Sequence, residues 1–207
     1  MGFGKPGRPR EDRIARQQEI FTAVRPLLSP GQVRELTMAR AARQAHLSVG
    51  GLYHYFPSKR RLVLFGIDPE NLQRVCADFR REHAHLVDAD PLGLLHAGLV
   101  TLSWAALHYV RPSALAAIEL DLAAFRSGMD EILNTELIGL METVSRACPD
   151  LTAAQAGELQ TTLRRVCTLA FVDPTLTRTQ LHDQLRATVD GTLMNVRRVS
   201  GAVSPVQ

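Results

Sequence analysis

Large rings are scarce in this chain of 207 residues: one Trp, three Tyr and seven Phe, or 5% aromatic. With so few rings and so much Ala and Leu, the interior must be built from aliphatic helix formers. No pair of segments alternates as paired strands do, so the expected fold class is all-α, without a convincing internal repeat. Cysteine is scarce too. Cys76, Cys148 and Cys167 are odd in number and not at metal-ligand spacing, which argues against a disulfide framework or a Cys-ligated zinc. They read as reduced thiols of a cytoplasmic protein. No long hydrophobic run is present. Residues 93–110 are the most apolar stretch, but His96, Thr101, Ser103 and His108 interrupt it. A buried core helix is expected there, not a membrane span, and the N-terminus lacks the apolar segment of a signal peptide. No nucleophile elbow, strand-following glycine loop or convincing metal cluster occurs; His83 and His85 point apart on a helix. No enzyme activity, metal or cofactor is expected.

What the chain does have is a charge asymmetry. Residues 1–61 carry twelve Lys/Arg against four Asp/Glu, a net of +8, while residues 62–207 carry a net of −5. A basic block ahead of an acidic one suggests that the first part meets a polyanion. Residues 1–9 are Gly/Pro-rich and read as a flexible basic arm, whose Lys5 and Arg8, with Arg10, could reach a minor groove. A helical pattern then runs from about Arg10 through Ile14, Phe21, Val24 and Leu28, with Pro26 expected to kink or shorten it.

Thr37 can cap a short helix containing Ala41, Ala42 and Ala45, and Ser48 can cap another through Leu52 and Tyr55, stopped by Pro57. Two short helices joined by a tight turn in a basic segment fit a helix-turn-helix, whose second helix can enter the major groove. Leu52 and Phe56, four apart, should face the core, leaving Tyr53, His54 and Tyr55 to offer polar tips to DNA. Gly50 and Gly51 are poor helix formers that make sense if backbone must approach DNA closely.

Thr37, Ala41/Ala42, Ser48, Gly50, Leu52, Tyr53, Phe56, Ser58 and Lys59 together resemble the helix-turn-helix signature of TetR-family regulators, over roughly residues 10–65. The resemblance implies an all-α, repressor-like regulator that dimerises through its last two helices. By motif position it puts Thr37, Ser48, Val49, Gly50, Tyr53, His54, Tyr55 and Lys59 at DNA. Thr37, Tyr53 and Lys59 are then expected mainly at phosphates, and Val49, Gly50 and His54 at base edges. The pattern is departed from in the turn, where His46 stands in place of the usual glycine, and at residues 66–69 (Gly-Ile-Asp-Pro), which should interrupt a linking helix that is usually continuous.

The remaining chain, residues 66–207, is expected to bind a small-molecule effector and to dimerise; the alternatives are a helical DNA-binding protein without a ligand, or an activator in place of a repressor. Pro91 opens an apolar helix on which Thr101, Trp104 and His108 share a face, a candidate pocket wall; Glu119 and Phe125 are further candidates for ligand contact. Ser127-Gly128 is a possible interruption further on. Thr152…Gln155 and Thr177…Gln180 match the capping box and open two well-marked helices. Their apolar stripes, Leu159, Leu163 and Val166, then Leu185, Val189, Leu193 and Val196, are expected to supply the dimer interface, although a core within the subunit could claim the same residues. The expected partners are a double-stranded DNA operator, an unknown effector and a second copy of the chain, with no membrane.

Overall fold

The structure is a computed structural model that describes residues 10–202; the basic arm expected over residues 1–9 lies outside them. Among the described residues the chain is helical and has no strand. Helix α1 (Arg10–Val24) passes into a 3₁₀ turn (Arg25–Leu28) as Pro26 removes a backbone donor. Then follow α2 (Met38–Gln44), α3 (Val49–Tyr55) and α4 (Lys59–Leu64). A 3₁₀ turn (Phe65–Ile67) leads into α5 (Pro69–Glu82), capped by Asp68. The break read from residues 66–69 is therefore present.

Helix α6 (Leu86–Ala89) is a single turn before α7 (Pro91–Ala105). The chain does not stop at residue 110. A π-turn (Ala106–Val110) carries it straight into α8 (Arg111–Leu120). Pro112 cannot donate to, and would collide with, the carbonyl four residues back; the wider π-turn relieves that conflict without ending the helix. By length and composition the run from Pro91 to Leu120 could cross a membrane, but core helices pass the same test. Here it packs against α9 (Leu122–Ala147) and α11 (Arg178–Ala202).

The interruption expected at Ser127-Gly128 is absent, because α9 runs through both residues. The real break is at Asp121, whose carboxylate accepts from the Ala124 amide and caps α9. Both capping boxes form as read. Thr152 and Gln155 exchange hydrogen bonds at the start of α10 (Ala153–Val172), and Thr177 and Gln180 do so at the start of α11.

The buried apolar side chains form two clusters. One joins α1 to α4 around Phe21, Leu52, Phe56 and Phe65. The other fills the bundle from Ile67 onward. The stripe residues Leu159, Leu163, Leu185, Val189, Leu193 and Val196 are all buried inside this second cluster, the last at 2% exposure, and Val166 is half-buried against it. Within a single subunit α10 and α11 use this face against each other and against α7 and α9, the alternative of a core within the subunit that the sequence left open. A surface with no water contact in the monomer gains nothing further on association. The outer faces of the same two helices carry Leu169 and Met194, exposed by 56% and 65%.

Candidate DNA-binding site and its link to the bundle

The site is built on two short helices whose ends are closed by their own side chains. The Thr37 hydroxyl accepts from the Arg40 amide at 3.1 Å and starts α2. At its end the Leu47 amide reaches back to the Ala42 carbonyl (2.9 Å) and the His46 amide to that of Arg43 (3.2 Å). This double closure needs a left-handed residue just past the helix, and His46 takes it with φ of 54°. The place where the sequence departs from glycine is thus a position of backbone strain. Two residues on, Ser48 Oγ accepts from the Gly51 amide at 3.0 Å and starts α3.

Helix α3 is anchored by Leu52 and Phe56, both buried, with the Ala41 and Ala42 side chains of α2 in the same core. The small alanines let α2 and α3 pack closely. Outward from α3 point Val49 (42% exposed), Gly50, Tyr53 (48%) and His54. A methyl group built on Gly50 would meet nothing within 4 Å, so packing within the chain does not require glycine there. Thr37 and Ser48 are exposed beside them. Tyr55 is half-buried, set edge-on to His54 at 5.0 Å. Lys59 is also half-buried and donates from Nζ to the Arg34 carbonyl at 3.1 Å, tying α4 to the segment before α2. One cation of the site thus has a structural task of its own.

Two residues that sequence reasoning passed over hold α3 in place. The Arg13 guanidinium donates to the His54 carbonyl (3.1 Å), and Gln17 Nε2 donates to the Tyr55 carbonyl (2.8 Å). Both reach from α1 to backbone acceptors that the end of a helix leaves open. The sequence separations are 41 and 38 residues, so no local spacing could have shown this. Arg40 and Arg43 on α2 are exposed as well and add positive charge beside α3.

A two-turn helix with exposed tips, held against an alanine-packed helix inside a basic segment, defines a helix-turn-helix DNA-binding protein. Residues 27–64, from the turn after α1 to the end of α4, match the sequence model of the bacterial regulatory proteins of the tetR family. No curated protein shows a significant match to the chain. Over this region the chain is similar to the DNA-binding part of tetR-family regulators, which supports a DNA-binding transcriptional regulator.

The ligand candidates fall in several places. A cavity of about 290 Å³ lies between α5, α7 and α9; Thr101 lines it, along with Phe79, Leu95, Leu102 and Ala105. Trp104 faces instead an open groove beside it, which Thr101 also borders. His108 lines neither, because the π-turn rotates it away from the Thr101 face and stacks it on Trp104, 4.8 Å between ring centres. There it joins the DNA-binding unit. Arg25 donates to its Nδ1 at 2.6 Å, which leaves the proton on Nε2, directed to Thr22 Oγ1 at 3.1 Å. Burial first, and the adjacent Arg25 charge second, lower its pKa to about 4, so it is neutral near pH 7. Glu119 also faces the DNA-binding unit, accepting from the Gly31 amide (2.8 Å) and pairing with Arg34 (3.4 Å). Phe125 packs against the core of the bundle.

These contacts belong to a broad junction. Asp121 takes Arg60 through two nitrogens, at 3.0 and 2.9 Å; the Ala124 amide and this guanidinium hold its carboxyl below the usual carboxylate range. Tyr109 packs on Phe21, which packs on Phe65, which in turn meets Phe56 at the end of α3. The Gly66 amide donates to Ser113 Oγ at 2.9 Å, and a methyl group on Gly66 would land on the Tyr109 carbonyl oxygen. Gly128 plays the same part from the other side, since its Cβ would stand 2.9 Å from Ile67 Cδ1. Two glycines thus allow the 65–67 turn to seat between the π-turn, α8 and α9.

Proposed function

We propose that the protein is a cytoplasmic homodimeric repressor whose operator affinity is lowered by a small molecule in the α5–α7–α9 cavity, with residues 10–65 as DNA-binding unit and 66–207 as effector and dimerisation unit. It acts without a metal, cofactor or catalytic step. One observation carries the reading: the cavity wall and the contact with the DNA-binding unit lie on one continuous helical run. Thr101 and Ala105 line the cavity, and the π-turn directly after them places His108 on Thr22 and Arg25 and Tyr109 on Phe21. A ligand that displaces α7 acts on α1 without an intermediary. It shifts the equilibrium only by its differential affinity for the two arrangements.

The dimer of this proposal uses the outer faces of α10 and α11, where Leu169 and Met194 are exposed. It sets two α3 helices in successive major grooves, about 34–36 Å apart. Thr37, Tyr53 and Lys59 serve phosphates, with Ser48 and Tyr55 beside them, and Val49, Gly50 and His54 meet bases.

The test fills the cavity from α7. Thr101→Phe should lower operator affinity about tenfold or more, near 1.4 kcal/mol, with the salt dependence of binding unchanged because no phosphate contact is altered. A folded Thr101→Phe protein that binds operator as the wild type does contradicts the reading.

A further inference from the structure

The cavity has unequal ends. Its walls are apolar, with Leu94 and Leu95 buried and Phe79, Val87 and Leu102 around the open volume. Its charged groups are Arg80 and His83 from α5 and the turn after it, and Glu142 and Arg146 from α9. Three of the four, Arg80, Glu142 and Arg146, are exposed, so they stand at the mouth.

The arginines of α5 are not equivalent. Arg74 and Arg81 both pair with Asp78, at 3.7 and 2.7 Å. Arg80, between them in sequence, has no ion-pair partner among the described residues, and neither do Arg146 or Glu142, although these two are one turn apart on α9. Two guanidinium groups from different helices therefore converge on one opening against a single carboxylate. The fourth group, His83, is tied to its own helix: its ring stacks on Phe79 at 4.6 Å and its Nδ1 lies 3.1 Å from the Phe79 carbonyl.

On the reading of this cavity as the effector site, we propose that the effector class is an amphiphilic carboxylic acid: one apolar body of medium length with a single anionic head, held at the mouth by Arg80 and Arg146. A planar guanidinium matches a carboxylate through two parallel donors, which an alcohol cannot use and an amine would be repelled by. The apolar body supplies affinity by leaving water, and the volume, at the small end for ligand sites, limits it to a modest chain or ring. Because the head stays partly solvated, the arginines contribute selectivity on the order of tenfold. Glu142 opposes the head.

The experiment measures binding of decanoate, decanol and decylamine to the full-length protein by calorimetry, in the wild type, Thr101→Phe, Glu142→Gln and the double variant Arg80→Ala/Arg146→Ala. Decanoate should bind about tenfold tighter than either analogue. The double variant should erase that advantage while leaving decanol unchanged, and Glu142→Gln should retain or raise decanoate affinity. Equal affinities, a preference for decylamine, or decanoate binding that ignores the two arginines overturns the acid class. If the analogues bind without discrimination but Thr101→Phe blocks them, the cavity stands as an effector site and only the class fails. If Thr101→Phe blocks none of the three, or none binds, both readings fail together.

Discussion

The DNA-binding helices and the helical bundle present their functional groups in opposite ways. In the first, the backbone is fixed by local caps and by two side chains from α1, and the groups facing solvent are the tips of Val49, Tyr53 and His54. In the second, most polar groups that stand out in the sequence are turned inward or toward the first unit. His108, Glu119 and Asp121 all bond to residues within 22–60, Asp121 while also capping α9. The contrast teaches that chemistry carried by one short helix can be read from spacing alone. Chemistry at a junction depends on which helices meet, and spacing within one helix does not say so.

The comparison breaks first at Gly66. Replacing it with Ala sets a Cβ on a backbone carbonyl that cannot rotate away, so both seating of the turn and folding should suffer. We expect a loss of at least about 3 kcal/mol, measured by denaturant unfolding. A Gly66→Ala protein of wild-type stability would show that the 65–67 turn is not clamped. Next in size is the pH response of the junction. His108 is held neutral with a pKa near 4, below its ordinary 6.5, so between those values the unfolded chain binds more protons than the folded one. Stability is therefore full above about pH 6.5 and is lost as pH falls toward 4. With the ring partly open to solvent, the loss should be roughly 1–2 kcal/mol. His108→Gln should flatten this part of the profile; an unchanged slope would place the titration elsewhere.

A sharper test separates positioning from direct contact. Gln17→Ala removes a donor from the end of α3 without touching charge, and should weaken operator binding about fivefold, near 1 kcal/mol, with an unchanged salt slope. A Gln17→Ala protein with full affinity would mean that α3 keeps its orientation unaided. The smallest effect should come from His46→Gly, which relieves a left-handed histidine and should stabilise the fold by about 0.5–1 kcal/mol. A lower melting temperature would contradict the strain assigned to that turn.

Much of the fold was legible because helix ends are written locally. Thr37, Ser48, Thr152 and Thr177 all cap as their neighbours in sequence suggested. The burial of Leu52 and Phe56 followed from a spacing of four. The π-turn was not legible, since Pro112 reads as a helix start unless the extra residue before it is seen, and that residue moved His108 off the expected face. The stripes on α10 and α11 were read correctly as apolar, but periodicity alone does not distinguish a partner in the same subunit from one in another. Arg13 and Gln17 were missed because their acceptors are backbone atoms some forty residues away, which no side-chain pattern records.

The central claim is that α3 reads DNA sequence, and selection from a random DNA pool at two salt concentrations tests it most directly. The account predicts a near-palindromic site with half-sites about 34–36 Å apart, recovered at both salts and altered in sequence when Val49 or His54 is changed to Ala. Recovery of no motif, with binding that disappears as salt rises, would mean that the basic unit holds phosphates without reading bases, and would contradict it.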